Sequence, residues 1–142
     1  MTEPKRPMAE ANGISALLNQ VLGPERFPVK VAELALEYSR QRFPKSPITK
    51  VHGAALPRLE GMLKPNTDRS RWLIVYDAAI SSPGRIQFTI AHEFGHYLLH
   101  RELPGQGEFL CSTEDTAGWS GGAKAMESDA DKFAATLLMP FD

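Results

Sequence analysis

Residues 89–100 read Thr-Ile-Ala-His-Glu-Phe-Gly-His-Tyr-Leu-Leu-His, an apolar run interrupted by a polar pentad of the form HExxH. The run has no interior proline, and its length suits a helix rather than a strand. On a helix His92 and His96 project to the same side, about 40° apart around the axis, with Glu93 about 60° beyond His96. Ile86, Ile90, Phe94, Tyr97 and Leu98 occupy the other arc, so the spacing predicts a buried helix carrying a polar island. Two neutral imidazoles one turn apart can give two nitrogen ligands to a zinc ion, and the glutamate between them is placed to act on a water rather than to ligate. Two histidines can equally be hydrogen-bonded core residues, and a third ligand decides between the readings.

The candidate third ligand lies in residues 126–140. Helical spacing there puts Glu127, Asp131, Ala134 and Leu138 on one stripe, with Ala130 at its edge. One carboxylate of the stripe can reach a metal, while the next, a turn on, accepts the free ring N–H of a ligand histidine and fixes its tautomer. The small residues Ala130 and Ala134, facing Gly95 on the first helix, would let the backbones approach closely enough for Glu127 to share an ion with His92 and His96. Without the HExxH pentad, Glu127 and Asp131 would read as a solvated acidic helix start.

The run Phe88-Thr89-Ile90-Ala91-His92-Glu93-Phe94-Gly95-His96-Tyr97-Leu98-Leu99-His100, followed by Glu127-x-x-Ala130-Asp131-x-Phe133-Ala134-x-x-Leu137-Leu138-Met139-Pro140, closely resembles the ImmA/IrrE metallopeptidase family. The resemblance is strong over residues 88–140 and looser over 28–87. It implies a compact, gluzincin-like α+β domain, with zinc or alternatively manganese held by His92, His96 and Glu127. It further implies site-specific endopeptidase action on a helix-turn-helix repressor encoded nearby, in a stress, phage or mobile-element response. Two positions depart from the family's pattern: Gln87 stands where a basic residue would precede Phe-Thr, and Asp77 where an asparagine is common. Both bear on substrate contacts rather than on the metal.

A chain of 142 residues is long enough for one core and too short for two comfortable ones, so residues 9–142 are expected to form a single domain behind a flexible N-terminus at 1–8. With 42% hydrophobic and 23% charged residues it is expected to fold rather than stay disordered. A net charge of −1 leaves no electrostatic footprint for direct binding to nucleic acid or to an anionic membrane. The single cysteine, Cys111, excludes an internal disulfide and suits a reducing cytoplasm. No stretch is apolar for long enough to span a bilayer, and the N-terminus lacks the apolar segment of a signal peptide. The chain stops at Asp142, just after the second metal helix; relatives commonly continue there, so a truncated chain is expected.

In chain order, a helix is expected from about Met8 to Leu22, stopped by Gly23-Pro24, and a second from Pro28 to about Arg42. Ile48–Ala54, Arg58–Lys64 and Arg71–Asp77 read as the strands of a small antiparallel sheet, Trp72 to Tyr76 being the strongest and apolar enough for burial on both faces. An edge of that sheet beside the metal cleft can take an extended substrate as another strand. His52 reads as an ordinary surface histidine. Ser82 is a candidate N-cap and Pro83 a first-turn residue for the motif helix. The glycine-rich segment 103–122 reads as a mobile loop without regular structure, suited to covering a cleft.

A three-ligand zinc site with one open position points to peptide hydrolysis, Glu93 being the general base that takes a proton from the attacking water and delivers it to the leaving amine. Asp131 is the expected partner of a ligand histidine. His100, two turns from His92, and Tyr76 are candidates for a substrate or oxyanion contact. The reading from another class is a metal-bearing, antitoxin-like binding module that silences a toxin or repressor by docking alone.

Overall fold

The computed structural model describes residues 9, 11–14, 16, 30–102, 109–112 and 121–138. Its elements are α1 (Val31–Arg42), β1 (Ile48–Ala54), β2 (Leu59–Pro65), β3 (Trp72–Asp77), α2 (Pro83–His100), β4 (Phe109–Ser112) and α3 (Gly121–Leu138). The described residues among 9–16 are helical, and Ala11 and Ile14 are buried in the core. The expected N-terminal tail, the rest of the expected first helix, and the end of the chain from Met139 onward lie outside the described residues. The class is α+β: a sheet packed with helices.

The sheet is four-stranded in the order β1-β3-β2-β4, and it is mixed rather than wholly antiparallel. The reason lies in its connections. β2 and β3 form a hairpin, with Leu63 opposite Ile74 and Gly61 opposite Tyr76. β1 runs opposite in direction to β2 but does not touch it; β3 inserts between the two and is therefore parallel to β1, Val51 facing Ile74 and Gly53 facing Tyr76. The hairpin turn is built by Asn66, whose side-chain oxygen accepts from the Arg71 N–H at 3.0 Å, and by Arg69 at a left-handed φ of 59°. The Arg69 guanidinium then donates to the Arg101 carbonyl at 2.6 Å, fastening the turn to the end of α2.

The segment expected to lack regular structure carries β4, which pairs antiparallel with β2 and places Cys111 opposite Gly61. The remainder of that segment, 103–108 and 113–120, lies outside the described residues. β3 is central, as its apolar run suggests: Trp72 and Ile74 are buried on the face toward α2, and Val75 is buried on the other.

The helices lie against one face of the sheet. Ser39 on α1 accepts the Ile48 N–H at 2.9 Å, joining α1 to the start of β1. Trp72 meets Tyr97 edge to face with ring centroids 6.2 Å apart, and the Tyr97 hydroxyl donates to the Ser46 carbonyl at 2.7 Å. Arg101 lies over the rings of Phe43 and Tyr97, at 4.2 and 4.1 Å from their centroids. α2 packs most extensively on α3, through Phe94 and Phe133 at 5.7 Å. The close approach depends on Gly95, where a Cβ would sit 3.0 Å from the Phe133 ring, and on the fully buried Ala130 and Ala134. Among the described residues, no helix is long and apolar enough to cross a membrane.

Candidate metal centre

The phase of α2 is set at its start. The Ser82 hydroxyl accepts the Arg85 N–H at 3.3 Å, and Pro83 opens the first turn, where its missing N–H is no loss. From that cap the helix runs without a break, and every residue from Thr89 to His100 is buried. His92 and His96 emerge one turn apart, their rings edge to face with centroids 4.8 Å apart. The first-turn residue Arg85 pairs with Glu60 of β2, which ties the start of α2 to the sheet.

α3 brings the carboxylate. Oε2 of Glu127 lies 2.5 Å from Nε2 of His92 and 3.2 Å from Nε2 of His96. The three donor atoms all fall within 4.8 Å of one another, so His92, His96 and Glu127 form a group that could hold a metal ion. Zinc–nitrogen and zinc–oxygen bonds of about 2.0–2.1 Å in a tetrahedron separate neighbouring donors by about 3.3 Å. The 3.2 Å between Glu127 and His96 matches that spacing, whereas the 2.5 Å between Glu127 and His92 is a direct contact that an ion would open. Burial opposes the charge on Glu127, but hydrogen bonds from His92 and His96 outweigh it and hold the carboxyl down to about 2. Burial pushes His96 down from its ordinary value, which keeps the ring neutral, the form that ligates.

The backs of the two imidazoles are held differently. Nδ1 of His92 meets Oδ1 of Asp131 at 2.8 Å, the contact expected of the carboxylate one turn after Glu127. Nδ1 of His96 meets Nδ1 of His100 at 2.9 Å. His100 is itself buried, with Nε2 3.9 Å from Oδ2 of Asp129. Burial first, and then the neighbouring His96, push His100 down to about 4. The reading of His100 as a substrate contact meets a different placement here: the ring sits behind His96, one turn further along the same helix face.

Glu93 is fully buried, and neither carboxylate oxygen has a hydrogen-bond partner among the described residues. Burial, reinforced by Glu127 and opposed by His92, pushes it up to about 8. A carboxyl in that state is poorly accommodated as a structural element, and its neighbourhood explains how it fits at all. Gly61 on β2 faces it: a Cβ there would lie 2.6 Å from Cγ2 of Thr89 and 3.3 Å from Oε2 of Glu93. Only a residue without a side chain lets β2 come this close to the motif helix.

Tyr76, in register with Gly61, lies half-buried on the α2 face of β3 with its ring over Gly53. His52 pairs with Val75 and so lies on the opposite face of the sheet; it is half-buried rather than an open surface residue, and its Nδ1 is buried without a partner among the described residues. The two departures from the family pattern have structural duties. The Gln87 side-chain oxygen accepts the Val31 N–H at 3.3 Å at the start of α1, and Oδ1 of Asp77 accepts the Ala79 N–H at 3.2 Å in the turn after β3.

Sequence reasoning missed His100 as the partner of His96, and it missed Gly61. The first was within reach, because His100 follows His96 by the same four-residue step that separates His96 from His92. The second had no local signal, since only the packing of β2 on α2 reveals it.

The family model Peptidase_M78, described as the IrrE N-terminal-like domain, matches residues 49–142, a span that contains the sheet except Ile48 and both helices of the centre. A comparison with curated proteins finds no match.

Proposed function

The chain belongs to the ImmA/IrrE metallopeptidase family, and from that membership and the geometry of the centre we propose that it is a zinc-dependent, site-specific endopeptidase acting on a helix-turn-helix transcriptional repressor in the cytoplasm. The observation that carries the proposal is the carboxyl of Glu93, buried and without a hydrogen-bond partner among the described residues, beside three converging donor atoms.

His92, His96 and Glu127 would hold the ion, their donor atoms converging within 4.8 Å of one another. When bound, zinc supplies Lewis acidity: it polarises a peptide carbonyl, lowers the pKa of a water and favours ionised carboxylates beside it. Glu93 then serves as the general base, taking the proton of the attacking water and passing it to the leaving amine as the peptide bond breaks. The apolar packing around Glu93 restricts competing water, so the proton it takes is delivered to the amine rather than lost. Asp131 holds His92 through Nδ1 and keeps Nε2 turned to the ion. Tyr76 is the candidate donor to the developing oxyanion, its strand position matching Gly61 and hence Glu93. Among the described residues β4 lies at an edge of the sheet, and its backbone groups would pair with an extended substrate strand.

The docking-module reading is the weaker one. A closed structural zinc site takes four protein ligands, whereas the described residues gather three and add a base that such a site does not use. The test is incubation of the zinc-loaded protein with a repressor encoded nearby, with and without chelator. Discrete fragments that vanish with chelator support proteolysis, and an intact repressor in a stable complex overturns it.

A further inference from the structure

The two ligand imidazoles are oriented by chemically different partners, a carboxylate behind His92 and a second imidazole behind His96. From this contact we infer that His100 is a positioning residue, which fixes the ring of His96 by accepting its Nδ1 proton and so presents the Nε2 lone pair of His96 to the ion. The inference rests on the metal-centre reading above and extends it to a residue outside the ligand set.

A ring nitrogen that ligates a metal carries no proton, so with Nε2 as ligand a neutral His96 keeps its proton on Nδ1. That Nδ1 lies 2.9 Å from Nδ1 of His100, a hydrogen-bonding distance. Two protonated nitrogens cannot face each other there, so Nδ1 of His100 is the acceptor and its own proton resides on Nε2. Nε2 in turn faces Oδ2 of Asp129 at 3.9 Å, where the negative charge favours a proton on that side although the distance exceeds a direct hydrogen bond. The sequence of groups from Glu127 through His96 and His100 to Asp129 thus has one consistent set of tautomers. Both rings are buried, at 1% and 4% exposure, so water does not compete for the contact. The ring-to-ring contact is what assigns His100 to the centre.

The experiment compares the unaltered protein with His100→Asn, His100→Phe and His96→Ala, with zinc alone as probe in competition with a chromogenic chelator. Asparagine places an amide oxygen near the position of Nδ1 and retains the acceptor; phenylalanine fills the space without one. The expected result is zinc binding roughly 10- to 100-fold weaker in His100→Phe and restored most of the way in His100→Asn. Equal losses in both variants, or undiminished affinity in a folded His100→Phe, overturn the inference. A second readout requires no variant to fold: nitrogen-15 spectra of the histidine rings in the zinc-loaded unaltered protein. They are expected to show the proton of His96 on Nδ1 and that of His100 on Nε2, and a His100 proton on Nδ1 overturns the assignment. Failure of stoichiometric zinc binding in the unaltered protein, or its persistence in His96→Ala, overturns the metal centre itself. Loss in His96→Ala beside full retention in His100→Phe removes only the positioning role.

Discussion

Oε2 of Glu127 rests 2.5 Å from Nε2 of His92, although 35 positions separate the two residues in the chain. The contact exists because α2 and α3 meet through Gly95, Ala130 and Ala134, side chains small enough for the backbones to close. Glu127→Ala is expected to leave the fold in place and abolish tight zinc binding, whereas Asp131→Asn weakens it by roughly 10- to 100-fold, since only the orientation of His92 is affected. Chelator competition on the two purified variants checks the order, and equal effects would contradict it.

Glu93 separates binding from chemistry. Glu93→Gln keeps all three ligand atoms and removes the base, so zinc stoichiometry should stay unchanged while peptide cleavage falls by about 10²- to 10⁴-fold. Metal analysis alongside a fragment assay reads both quantities on one sample. Full proteolysis by the variant would remove Glu93 from its assigned role.

The same residue gives the metal-free protein a defined response to pH. Burial raises its folded value to about 8, above the ordinary 4.5, so the fold binds this proton more tightly than the unfolded chain does. Its stabilising contribution is fully present below pH 4.5 and is lost as pH rises through about 8. His96 and His100 act the other way, because their folded values lie below the ordinary 6.5, and they lower stability as pH falls beneath that value. As pH rises from 6.5 toward 8, His96 and His100 lose the last of their protons in the unfolded chain and cease to matter, so the urea midpoint of chelated protein should come to decline with rising pH through Glu93. In Glu93→Gln this decline should flatten, and parallel curves for the two proteins would refute the assignment.

Gly61 should tolerate no side chain. A Cβ there would meet Cγ2 of Thr89 at 2.6 Å in a packed interior, so Gly61→Ala is expected to destabilise by about 1–3 kcal/mol. Adding Thr89→Ser deletes the methyl that it meets and should recover part of the loss. A double-mutant cycle by chemical denaturation measures the coupling, and strict additivity would show that the two residues do not touch.

The elements that the sequence announces are those whose order comes from local chemistry. The Ser82 cap, the Pro83 start and the apolar arc of α2 are written within one stretch of chain, and β1 falls at Ile48–Ala54 as its β-prone run suggests. The contact of Asp131 with a histidine of the motif was legible because one helical turn fixes it relative to Glu127. The parallel pairing of β1 with β3 was not, because short connections suggest neighbours and do not reveal that a hairpin strand will slip between them. β4 was hidden for a related reason: its pairing with β2 is a long-range contact within a polar, glycine-rich segment. Gly61 illustrates the limit, since its need appears only when a strand and a helix are brought together.

Because His92 and His96 belong to α2 while Glu127 arrives on α3, the three residues that could hold an ion come together only after the chain has been synthesised well past β4. A nascent polypeptide halted between these helices would present two histidines and nothing to close around an ion. On the proposed ligand set, capture of a cation would report that α3 has docked, and hydrolytic competence would wait until translation has passed that point.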